Sequence, residues 1–145
     1  DTNHVIGCTD GVSTYFEHET GLNQIKEGAI TAITANIESG DFDIGPQGGL
    51  TGPGNDGEFM MKVRRVIPDF LSQTGDARIT LNLRDFPNDT QASSTLGPFT
   101  VTSGTQKIDT RARARSISLK IDNTGISQFW KVGTFRLDIQ PDGRR

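Results

Sequence analysis

Strict period-two alternation constrains this chain more than any other feature. From Ala77 to Arg84, the residues Ala77, Ile79, Leu81 and Leu83 alternate with Arg78, Thr80, Asn82 and Arg84. An extended chain therefore places all the apolar side chains on one face and all the polar ones on the other. The pattern returns near the C-terminus, where Ile117, Leu119 and Ile121 alternate with Ser116, Ser118 and Lys120. A polar Asp122-Asn123-Thr124-Gly125 turn follows, and Phe129 to Ile139 reads as a second strand that folds back on the first as a hairpin. Ile79, Leu81, Leu83, Ile117, Leu119, Ile121, Leu137 and Ile139 are the predicted core.

A chain of 145 residues is one domain's worth, and a domain of that size buries roughly 70% of the surface its unfolded form exposes. With 32% hydrophobic residues and 17 glycines, the core is thin and the loops are many, which suits two β layers better than a helical bundle. Further strands are expected at Ser13–Glu19, Ala29–Glu38, Glu58–Leu71 (limited by Pro68) and Pro98–Ser103. The stretch from Gly45 to Gly57, GPQGGLTGPGNDG, holds neither a helix nor a central strand and reads as a surface loop. Short strands separated by turn residues predict an all-β fold, an antiparallel β-sandwich or jelly-roll-like single domain. The weakly patterned residues 1–28 read as a connector and 29–145 as the sandwich; the absence of an initiator methionine suggests a piece excised from a longer polypeptide.

Charge is segregated along the chain. From Asp1 to Glu58 there is one basic residue, Lys26, against ten acidic ones, whereas Lys107 to Arg145 holds nine basic and four acidic residues. Such a distribution suits partners of either sign, or the stacking of one copy's acidic part on another's basic part. Cys8 is the single cysteine, which excludes an internal disulfide and a thiolate zinc cluster. No run approaches the ~20 apolar residues that span a bilayer, so no membrane insertion is expected.

Catalytic patterns are missing. His4 and His18 sit in no metal-ligand or acid-base motif, no Gly-x-Ser-x-Gly elbow presents a serine, and no carboxylate pair is marked out for glycoside hydrolysis. The expectation is a non-enzyme without a cofactor. Asp41 and Asp43, two apart beside the Gly-rich loop, make a candidate cation site, although the spacing is not that of an EF-hand loop. Arg111, Arg113 and Arg115 form an RxRxR strip, a candidate interface or anion site with guanidinium groups ~7 Å apart on one strand face. Its parity is odd, because in one continuous strand Arg113 and Arg115 share a face with Ile117, Leu119 and Ile121 unless a bulge intervenes. The strip lacks the interleaved aromatics of a base-stacking surface, which leaves nucleic-acid contact open but not favoured. Trp130, the lone tryptophan, is a candidate ligand-stacking ring beside Phe129 on the opposite strand face.

The stretches NIESGDFDIG, FMMKVRRVIPDF, LRDFPN, LGPFTVTSGTQKIDTRARARSISLKI and FWKVGTFRLDIQPDGRR together resemble the C-terminal region of virion structural proteins of short-tailed bacteriophages. The resemblance covers roughly 29–145. It implies a tail-associated structural and interaction module, a nozzle, hub or fibre component assembled in the host cytoplasm. Its implied partners are other virion proteins or copies of itself. A carbohydrate or host-receptor binding module, with a host-surface glycan as partner, is the alternative.

Overall fold

The computed structural model describes residues 5–7, 15–17, 20–45, 50–51, 58–86 and 92–144. Every regular element among them is a β-strand. The first seven are short: β1 (Val5–Gly7), β2 (Tyr15–Glu17), β3 (Asn23–Lys26), β4 (Ala29–Ala32), β5 (Asn36–Glu38), β6 (Asp43–Ile44) and β7 (Leu50–Thr51). The longer ones follow: β8 (Phe59–Ile67), β9 (Phe70–Thr74), β10 (Ala77–Arg84), β11 (Ser94–Val101), β12 (Ile108–Ala114) and β13 (Ser116–Asp122). The last two are β14 (Phe129–Val132) and β15 (Arg136–Arg144).

Two antiparallel sheets form the sandwich. One has the order β11-β10-β13-β5 and the other β12-β8-β15. Their inner faces meet in one cluster, in which Ile79, Leu81, Leu83, Ile117 and Ile121 of the first sheet pack on Met61, Val63, Val66, Ala112 and Ala114 of the second. Smaller pairs flank them: β9 with β14, β6 with β7, β3 with β4, and β1 with β2. Ala77, Ile79, Leu81 and Leu83 are buried, as the alternation requires, while the intervening residues are half-exposed. Leu119, Leu137 and Ile139 are only half-buried, although they too pack on the cluster. For the last two the reason is position, since β15 is an edge strand with a neighbour on one side only.

Three other expectations need correction. Residues 29–38 make two strands, β4 and β5, in different sheets. The stretch from Phe129 to Ile139 is also two strands, and neither pairs with β13: β14 joins β9, β15 joins β8, and β13 lies between β10 and β5. The division falls at Gly133, whose N–H donates to the Asp69 carbonyl at 2.8 Å and leaves no room for a side chain, since an added Cβ would lie 2.9 Å from that oxygen. Finally, the arginine-rich segment is not one strand with Ser116–Asp122. The chain turns a corner at Arg115, leaving the three-stranded sheet after Ala114 and entering the four-stranded sheet at Ser116, so inner-face parity is reset there. The Arg115 N–H donates to the Arg84 carbonyl at 3.1 Å, which anchors the corner to β10.

Candidate functional site

The corner separates the three arginines. Arg111 and Arg113 alternate with buried Thr110, Ala112 and Ala114 and project from the outer face of the three-stranded sheet. Arg115 is half-buried, and its Nη1 donates to the Glu58 carbonyl at 3.4 Å. Arg113 Nε donates to Asp142 Oδ2 across the sheet. That guanidinium holds the Asp142 carboxyl below the ordinary aspartate range.

Arg111 instead faces a second group of cations that comes from a fault in the alternation of β8. Val63 and Val66 are both fully buried, yet they are three residues apart, so Arg64 and Arg65 between them must both turn outward. The register shows how this is done. Val66 and Val63 face Leu137 and Ile139 of β15, so one residue, Asp138, spans both arginines. On the other side, Val66 and Val63 face Ile108 and Ala112 of β12, across three residues. This is a β-bulge, a device that redirects side chains at the expense of a regular ladder. The Thr110 hydroxyl donates to the Val63 carbonyl at 2.8 Å and pins it.

The result is an open cleft of about 390 Å³ lined by Lys62, Arg64, Arg65, Asp109, Thr110 and Arg111. Asp109 is the single carboxylate. Arg65 Nε donates to its Oδ1 at 2.9 Å, and Lys107 Nζ lies 3.1 Å from its Oδ2. The hydrogen bond from Arg65, then that from Lys107, holds this carboxyl below its ordinary range. The side chains of Lys62, Arg64 and Arg111 make no hydrogen bond or ion pair with the described residues. A signal for the cleft stood in the sequence, since Val-Arg-Arg-Val breaks period two within an otherwise apolar strand, but Glu58–Leu71 read simply as a buried strand.

Trp130 lines a second, smaller groove of about 210 Å³, together with Leu22, Ile33, Asn123, Gln128 and Phe129 among others. Its indole N–H donates to Asn123 Oδ1 at 3.1 Å, and part of the ring packs on the core. Phe129 is the more exposed of the aromatic pair.

Asp41 and Asp43 lie in different surroundings. Asp41 Oδ2 lies 2.9 Å from Arg84 Nε, and Asp43 is buried in β6. Among the described residues no three potential ligands converge as a metal site would require, and no helix is long and apolar enough to cross a membrane. His4, His18, Cys8 and most of the Gly-rich loop lie outside the described residues. Comparison with protein-family models and with curated proteins finds no match for this chain.

Proposed function

We propose that this chain is a non-enzymatic structural and interaction module of a bacteriophage virion, tail-associated as a nozzle, hub or fibre component. The virion assignment rests on the sequence resemblance; the interaction role is carried by one observation, the uncovered apolar hairpin of β3 and β4. Ile25 and Ile30 are cross-strand partners and are 63% and 54% exposed. Ile33 and Ile37 are each 51% exposed as well. An exposed isoleucine pair beside a sandwich that already buries its core is a contact surface for another subunit. In a multi-copy assembly such a contact needs only modest strength, because many copies add avidity.

The experiment is particle incorporation. Mass spectrometry and antibody labelling of particles purified from producing cells are expected to find the chain in the tail at a fixed copy number. Ile25→Asp with Ile30→Asp is expected to leave the circular dichroism spectrum and melting midpoint unchanged while abolishing incorporation. A chain absent from particles overturns the virion assignment, and unchanged incorporation of the double variant overturns the role of the hairpin.

A carbohydrate or host-receptor binding module is the second reading. It is favoured by the Trp130 groove, where an aromatic ring fixed by Asn123 lies beside the Gln128 amide, the combination of stacking face and polar handle that saccharides use.

A further inference from the structure

We propose that the bulge cleft of β8 and β12 binds a saccharide bearing a tetrahedral oxyanion, a sulfate or phosphate ester. This extends the reading of the chain as a glycan-binding module to a surface separate from the Trp130 groove, and it does not depend on the virion assignment.

Charge makes the first step of the argument. Four cations and one carboxylate line the cleft on a chain whose formal net charge is −3. Arg65 is engaged by Asp109 and Lys62 is attracted by the Asp142 carboxylate, whereas Arg64 and Arg111 have no partner among the described residues. Like charges held together on neighbouring strands are unfavourable, and the bulge aggravates the repulsion by turning Arg64 and Arg65 out side by side. An oxyanion that takes charge-assisted hydrogen bonds from guanidinium forks offsets that cost.

The rival anions fit less well. The described carboxylates of the acidic half offer a second copy little: Glu38 accepts from Asn82 and Ser118, Asp41 pairs with Arg84, Glu58 pairs with Arg144 and Asp43 is buried. From Thr20 to Glu58, among the acidic residues whose side chains are described, only Glu27 has no partner among the described residues. Nucleic acid lacks its stacking surface, because no aromatic side chain lines the cleft. A free inorganic anion leaves most of the open cleft unfilled, since one such ion takes on the order of two waters' volume, ~60 Å³, against about 390 Å³. The remaining space suits a sugar ring, and Asp109, fixed by Arg65 and Lys107, is the acceptor in reach of its hydroxyls.

Titration of the full-length protein followed by backbone amide NMR tests this, with five probes: a sulfated disaccharide, a phosphorylated disaccharide, the unsubstituted disaccharide, inorganic sulfate and a single-stranded oligonucleotide. One or both ester-bearing sugars are expected to shift the amides of Arg64, Arg65, Thr110 and Arg111 saturably, and which one binds identifies the ester. Binding is expected to exceed that of inorganic sulfate and of the unsubstituted sugar by at least about tenfold, the worth of one charge-assisted hydrogen bond. Arg64→Ser with Arg111→Ser removes two exposed side chains and is expected to lose at least that factor without a change in melting midpoint. Asp109→Asn separates sugar from ion: it is expected to weaken the ester-bearing sugar while leaving inorganic sulfate unchanged or tighter. Equal affinity for sulfate and sugar means an adventitious ion only and overturns the proposal. So does tighter binding of the oligonucleotide, a shift pattern centred on Trp130, or full binding by the double arginine variant.

Discussion

A single amide, Asn123, ties three parts of the chain together. Its Oδ1 accepts from the Ala35 N–H and from the Trp130 indole, both at 3.1 Å, and its Nδ2 donates to the Ile33 carbonyl at 3.1 Å. Its own N–H donates to the Ala35 carbonyl, also at 3.1 Å. The residue is 3% exposed, so removing the amide leaves a part-buried N–H, carbonyl and indole without their partner. Asn123→Ala is therefore expected to cost about 1–3 kcal/mol or more, read as a lower urea midpoint, with Trp130 fluorescence moving toward that of a solvated indole. Gly97 is a second position with one tolerated residue. Its φ is +113°, and an added Cβ would lie 2.8 Å from the Ile79 carbonyl, at the place where the β10–β11 register shifts. Gly97→Ala is expected to destabilise by about 1–3 kcal/mol, and an unchanged midpoint would mean that β11 pairs differently. Neither role was legible in the sequence: Asn123 read as a turn residue, and its partners Ala35 and Ile33 lie about ninety positions away. Local pattern cannot carry a contact that only the assembled sheets create.

At the scale of the element, the alternation that named β10 and β13 specified their faces well, and what it left out was which strands they join. Ile117, Leu119 and Ile121 sit opposite Leu83, Leu81 and Ile79, so two segments read separately as strands are direct neighbours. Pairing between distant segments is decided by burial across the whole sandwich, not by the turn that follows a strand. The Arg115 parity conflict did mark a real event, the change of sheet, but sequence alone could not tell a bulge within one strand from a corner between two. Burial also separates positions that the pattern treats alike. Leu81 is fully buried, whereas its partner Leu119 is half-buried. Leu81→Ala is expected to cost about 2–5 kcal/mol, and Leu119→Ala distinctly less, because part of its surface is already solvated. Equal costs from denaturation curves would mean that something covers Leu119 in solution.

Across the whole molecule, the outer face of the three-stranded sheet makes stability depend on acid. Asp109 and Asp142 are the carboxylates that offset Lys107, Arg65 and Arg113 there, and both carboxyls are held below the ordinary aspartate range in the folded chain. A carboxyl whose folded pKa is depressed stabilises the fold fully above its unfolded value, about 3.9, and loses that contribution as pH falls through its folded value. The two side chains are exposed, so the contribution of each is small, but their loss acts in one direction on one sheet. Once they are protonated, Lys62, Arg64, Arg65, Arg111 and Arg113 remain on β8 and β12 with no counter-charge from either. Stability measured by urea unfolding is therefore expected to be level between about pH 5 and 7 and to decline below about pH 4. Asp109→Asn with Asp142→Asn is expected to be somewhat less stable at neutral pH and to decline less steeply in acid, since it lacks two of the titrating groups. Added salt is expected to narrow the difference between the two proteins, because exposed charges are screened. If the variant declines as steeply as the parent, the acid sensitivity arises elsewhere, and the role of Asp109 and Asp142 is overturned.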